Sequence, residues 1–136
     1  MNDMRRELLS DMGFSEKAIS ILDQNLNIGK MEKASIVEKH QGRCGDILFI
    51  ALKIQQNIIK NAMYEYIGCA GLQACASALT EMIKGMKLDE AAQIKVSDIL
   101  HYLNGIPKQK YECAEIACDA LHKAIFKWQN PSLKVL

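Results

Sequence analysis

Residues 46–68 read DILFIALKIQQNIIKNAMYEYIG. In an extended chain, successive side chains point to opposite faces. Residues 46–55 therefore set Leu48, Ile50, Leu52 and Ile54 on one side and Ile47, Phe49 and Ala51 on the other. Apolar residues on both sides near the start predict a central, buried strand. Gln56–Asn57 suits a tight turn, and the Ile- and Tyr-rich 58–68 predicts the returning strand. Upstream, KASIVEKHQG (33–42) carries β-branched residues and predicts a strand that precedes both. Connections this short imply an antiparallel meander.

Away from this meander the periodicity becomes helical. MNDMRRELLSDMGF (1–14) is an N-terminal extension that predicts a short helix interrupted at Gly13. SEKAISILDQNLNIG (15–29) predicts a helix with Ser15 as its cap, Ala18, Ile19, Ile21 and Leu22 as its apolar face, and Gly29 as its stop. After Gly68, Leu72, Cys75, Ala76, Leu79, Met82 and Ile83 fall at helical spacing up to an end near Gly85. LDEAAQI (88–94) and VSDILHYLNG (96–105) are short helices, the second capped by Ser97 and stopped at Asn104–Gly105. GIPKQKYE (105–112) is a loop anchored by Pro107. CAEIACDALHKAIFKWQ (113–129) is a final amphipathic helix with Ala117, Leu121, Ala124 and Trp128 along one stripe, ended by Pro131. Helix, three strands, then helices is an α+β order: a three-stranded antiparallel sheet with helices packed on one face, in a single domain spanning 1–136.

The chain has 136 residues, 49% hydrophobic and 24% charged, the composition of an ordinary globular domain. A net charge of +1 gives no electrostatic reason for a nucleic-acid or anionic-membrane partner. No apolar run approaches the ~20 residues of a membrane span. The charged N-terminus lacks a secretory signal, so a cytoplasmic location with reduced thiols is expected. Five cysteines cannot all pair, which turns attention to metal or sulfur chemistry.

Three of the five stand at element boundaries. Cys44 opens the central strand, Cys69 marks the change from strand to helix, and Cys113 begins the last helix. In a meander, the start of the second strand lies beside the end of the third, which brings Cys44 and Cys69 to one end of the sheet. Free N–H groups at the two helix starts favour thiolates. Asp46 stands two residues from Cys44, and a thiol beside a carboxylate makes sense where both hold one ligand. The separations are too long for a short-range zinc signature. Cys75 and Cys118 lie inside helices and read as small apolar fillers. His40 is a candidate neighbour of the site; His101 and His122 read as surface or cap residues.

From Ser15 to about Trp128 the chain resembles the IscU and NifU N-terminal family, the scaffolds on which iron–sulfur clusters are built. FSEKAISILDQNLNIG (14–29), CGD (44–46), YIGCAG (66–71), LTEMIKGMKLDEA (79–91) and KYECAEIACDALHKAI (110–125) carry the resemblance, in order and without a large insertion. It implies that Cys44, Cys69 and Cys113 hold iron or a [2Fe–2S] cluster with Asp46 as fourth ligand. It also implies that sulfur arrives from a cysteine desulfurase as persulfide, with Cys113 the candidate receiver. The finished cluster would pass to apo iron–sulfur acceptor proteins. Such a protein is a scaffold and not an enzyme, a monomer that pairs when a cluster bridges two chains. Zinc fits a Cys3Asp set in the isolated protein. A hard oxygen among soft thiolates weakens the cage, which suits a site that must release its cargo.

The departures from the family pattern matter. Glu112 stands where the family has a histidine, with three open roles: a further oxygen donor, a base beside Cys113, or a solvated acid favoured by the helix dipole. The loop that an Hsp70-type chaperone grips reads IPKQK at 106–110, so the usual docking is not expected. Gly71 and Cys75 replace serines, and the long insertion of the SufU branch is absent. Two other readings stay open: a SufU-like zinc-dependent sulfurtransferase partner of a cysteine desulfurase, and a metal-binding adaptor or sensor. Three thiolates and two carboxylates at ~6 Å repel by roughly 3 kcal/mol per pair at an effective dielectric of ~20. The empty site is therefore expected to keep its thiols protonated and to release protons on binding metal.

Overall fold

A computed structural model describes residues 1–133. The elements run α1 (Asp3–Met12), α2 (Glu16–Gln24), β1 (Ile36–Gln41), β2 (Ile47–Gln55), β3 (Ile58–Ile67), α3 (Ala70–Ile83), α4 (Leu88–Ala91), α5 (Val96–Tyr102) and α6 (Tyr111–Gln129). Short 3₁₀ turns cover Lys108–Lys110 and Pro131–Leu133. The sheet is antiparallel in the order β1-β2-β3, with the helices packed on one face, so the expected α+β meander is the fold.

The hairpin forms where the sequence sets it. Gln56 and Asn57 take φ values of 54° and 61°, and two left-handed residues give the turn that matches strand twist. Leu48, Ile50 and Leu52 of β2 are fully buried against the helices. Each such side chain contributes about 1.5–3 kcal/mol. The other face is less covered than the apolar run suggests. Ile47 and Phe49 are half-buried there, and Val37 and Ile67 on the flanking strands are exposed. β2 is central between its neighbours but sealed on one side only.

Two expected boundaries move. α2 ends at Asn25, not Gly29, because Asn25 adopts φ 49° and its N–H returns to the Leu22 carbonyl. The following residues instead pair with β3: Gly29 donates to the Tyr64 carbonyl at 2.8 Å, and Tyr64 donates to Asn27 at 2.9 Å. Ser97 is not the cap of α5. Lys95 holds that position, its N–H satisfied by the Asp98 carboxylate at 2.8 Å, and Ser97 lies within the first turn. Ser15 does cap α2, accepting from the Ala18 N–H at 2.9 Å and donating to the Leu103 carbonyl.

α3 and α6 are the inner helices, packed on each other and against the sheet. The buried face of α6 carries Ala114, Ala117, Ala120 and Ala124, whose small side chains let the helices approach closely. α3 buries polar groups as well, and each has a partner. The Tyr64 hydroxyl and Ser77 Oγ are 2.6 Å apart. Gln73 accepts from the Tyr66 hydroxyl and donates to Asn25, both at 3.0 Å. This network ties α2 and β3 to the helix whose first turn faces the cysteines. Among the described residues no helix is long and apolar enough to cross a membrane.

Candidate metal centre

Three separate elements meet at one end of the sheet. Asp46 stands at the mouth of β2, Cys69 at the N-cap of α3, and Cys113 in the first turn of α6. One ligand atom from each lies within 4.8 Å of the others. The Cys69 and Cys113 sulfurs are 3.7 Å apart. Two thiolates on one tetrahedral ion, with bonds of ~2.3 Å, sit about 3.8 Å apart. The donor set thus fits a thiophilic metal.

Two glycines make the room. A Cβ on Gly71 would stand 3.2 Å from the Cys113 sulfur and 3.1 Å from Lys110 Cβ. A Cβ on Gly68 would stand 2.7 Å from Asp46 Oδ2. YIGCAG is therefore small on both sides of Cys69 for a spatial reason: any side chain would intrude on the ligand atoms.

The two close sulfurs lie within hydrogen-bonding distance of each other. The Cys113 thiol donates to Cys69, the N–H groups of Leu72 and Gly71 point at the same sulfur, and Lys110 adds positive charge. Together they outweigh burial and lower Cys69 from 9.0 to about 5. Cys113 is driven upward, first by its hydrogen bond to the Cys69 thiolate and then by burial. At Cys69 the hydrogen bond from Cys113, helped by the helix N–H groups and Lys110, works against the protonated state expected of the empty site. Burial raises Cys75 and Cys118, the latter to about 12, and both lie in the core as expected for fillers.

A lowered pKa means that the thiolate persists above about 5 and is lost as pH falls through that value. Iodoacetamide is expected to alkylate Cys69 across neutral pH with an apparent midpoint near 5. Cys113→Ala removes the donor and should raise that midpoint by about one to two units. Mass spectrometry of the Cys69 peptide at a series of pH values checks both. A wild-type midpoint near 9 would contradict the hydrogen bond between the two sulfurs.

Neither Cys44 nor Glu112 belongs to this group of atoms. Cys44 is exposed in the β1–β2 loop. Its N–H donates to Glu112 Oε2 at 3.3 Å. Arg43 lies 3.9 Å from the Glu112 carboxylate and 3.6 Å from that of Glu115, pairing with acids and not with sulfur. His40 lies 3.5 Å from Asp119 on α6. His122 bonds the Ile94 carbonyl at 2.9 Å, and His101 is exposed. The Glu112–Cys44 contact and the space at Gly68 were missed by sequence reasoning. Nothing in the local pattern announces a side chain that bonds a distant backbone N–H.

Residues 13–134 match the family described as NifU-like N terminal domain. The iron-sulfur cluster assembly scaffold protein IscU 1 of Archaeoglobus fulgidus is 34% identical over 123 residues, covering 90% of this chain and 80% of that protein. The nitrogen fixation protein NifU of Azotobacter chroococcum mcd 1 is 32% identical over 124 residues, covering 89% of this chain and 40% of that protein. Among solved structures, the N-terminal part of a nitrogen-fixing NifU-like protein from Brucella abortus superposes with a TM-score of 0.71 at 16% identity, covering 85% of this chain and 93% of that one. A putative iron–sulfur cluster assembly scaffold protein for the SUF system from Fervidobacterium islandicum AW-1 gives 0.69 at 21% identity, covering 82% and 96%. The two structural likenesses concern the fold.

Proposed function

The chain belongs to the family of NifU-like N-terminal domains, and from that premise we propose that it is a scaffold on which a [2Fe–2S] cluster is assembled and then handed to apo-proteins. The observation that carries this reading is the meeting of Asp46, Cys69 and Cys113 at one end of the sheet. The family is one of iron–sulfur scaffolds, not enzymes, and the cluster is cargo. Cys69, Cys113 and Asp46 form the standing part of the ligand set, and Cys44 completes it from the adjoining loop. Thiolates suit iron in sulfide surroundings, and the Asp46 oxygen is the weak member that favours release.

Family membership implies a cysteine desulfurase as the source of sulfur. Cys113 is the proposed receiver. Its sulfur attacks the outer sulfur of the desulfurase persulfide while its proton passes to the Cys69 thiolate, 3.7 Å away. The donor S–S bond breaks, the desulfurase cysteine leaves as thiolate, and Cys113 carries the new persulfide. An Hsp70-type partner is not part of the proposal. Ile106 and Pro107 are buried, and Lys108–Lys110 are wound into a 3₁₀ turn rather than presented as an extended grip.

Anaerobic incubation with ferrous iron, cysteine and a cysteine desulfurase tests the reading. A [2Fe–2S] absorption spectrum followed by transfer to an apo-ferredoxin is expected. Stoichiometric zinc with persulfide relay alone would instead support a SufU-like sulfurtransferase. Iron held without transfer would support an adaptor or sensor. Asp46→Ala should hand its cluster over several-fold more slowly than wild type. Faster transfer by that variant would refute the role given to the oxygen ligand.

A further inference from the structure

We infer that Glu112 is a positioning residue that holds Cys44 outside the Asp46–Cys69–Cys113 group until cargo arrives, an inference that rests on the proposed ligand set. The β1–β2 loop closes on itself: Gly42 donates to the Asp46 carbonyl at 2.9 Å and Gly45 to the Gly42 carbonyl at 3.0 Å. The Cys44 N–H is left for another partner, and it finds Glu112 Oε2 at 3.3 Å. Among the described residues, the hydrogen bonds and ion pairs that join residues 42–46 to α6 all end on Glu112 or Glu115. Arg43 is 85% exposed, so its ion pairs add little, and the Cys44 amide bond is the main link.

The neighbouring residues are shaped for this contact. A Cβ on Gly42 would stand 2.4 Å from Ile116 Cδ1 and 3.2 Å from Glu112 Oε2. Without a side chain there, the loop lies close enough to α6 for Glu112 to reach it. Glu112 sits in the first turn of α6, where free N–H groups favour a carboxylate. The loop thus sends one donor into the ligand group at Asp46 and keeps another out at Cys44. The Cys44 side chain and N–H share one Cα. In the inferred closure the loop backbone, and not the side chain alone, turns to bring the thiol to the group, so the N–H leaves Glu112 and the tether opposes completion of the ligand set.

Zinc alone, titrated against the full chain in competition with a chelator, tests this. Glu112→Ala should tighten zinc binding about fivefold, the loss of one net hydrogen bond from the state that excludes Cys44. Glu112→Gln keeps an oxygen acceptor and should stay within about twofold of wild type. Hydrogen exchange at the Cys44 amide should accelerate in Glu112→Ala and not in Glu112→Gln. Unchanged or weaker zinc binding in Glu112→Ala overturns the inference, as does a glutamine variant that behaves like the alanine one. Cys44→Ala separates this inference from the reading beneath it. If Cys44→Ala weakens zinc binding while Glu112→Ala changes nothing, the ligand set stands and the positioning role falls. If Cys44→Ala binds zinc as wild type does, the ligand set fails at Cys44 and the positioning role falls with it.

Discussion

Replacing Cys113 by alanine is expected to weaken zinc binding by about 10²–10³-fold. Structural zinc in thiolate-rich sites is bound by ~10–16 kcal/mol, so one of four ligands carries roughly 3–4 kcal/mol. Competition with a chelator near neutral pH measures the change. Cys118→Ala is the control: the same element and chemistry, but a thiol buried in the core outside the ligand group, whose loss should leave zinc affinity within about twofold of wild type. Equal affinity in Cys113→Ala and wild type would separate this residue from the site altogether.

The second large effect is on the frame behind the site. Leu72 is fully buried in the first turn of α3, three residues after Cys69, and lies close to Gly68. Leu72→Ala leaves a cavity where the sheet, α3 and the Asp46 approach come together. A loss of about 3 kcal/mol in metal-free stability is expected. For a domain of this size that is about 10 °C in melting temperature. Zinc at about a hundred times its dissociation constant should restore roughly 2.7 kcal/mol, since it binds the folded state. Calorimetric melts with and without zinc read both quantities. A loss below about 1 kcal/mol would mean that the turn collapses onto the gap and that the ligand end of α3 is not a rigid support.

Period-two alternation in 46–55, the Gln56–Asn57 turn and the returning strand were readable because each is a local pattern with a direct physical cause. From them the meander follows, and with it the expectation that Cys44 and Cys69 meet at one end of the sheet. Where two local signals compete, reading fails. Ser97 and Asp98 both favour a helix start, and only the reach of the Asp98 carboxylate to the Lys95 N–H decides between them. Gly29 looked like a helix stop but serves the edge of β3, a demand set by tertiary pairing. At the site, Asp46, Cys69 and Cys113 could be grouped from topology together with the family resemblance. The place of Cys44 could not. It depends on a backbone N–H meeting a carboxylate from the far end of the chain, and no residue pattern near either one records that meeting.

The three standing donors also come from distant parts of the polypeptide, and this has a consequence during synthesis. A nascent chain presents Cys44 and Cys69 to its surroundings long before α6 leaves the ribosome. No early fragment can close a thiolate pair around a stray ion with the geometry of the finished pocket. The Cys69–Cys113 pair is therefore completed only once the last helix has emerged and docked.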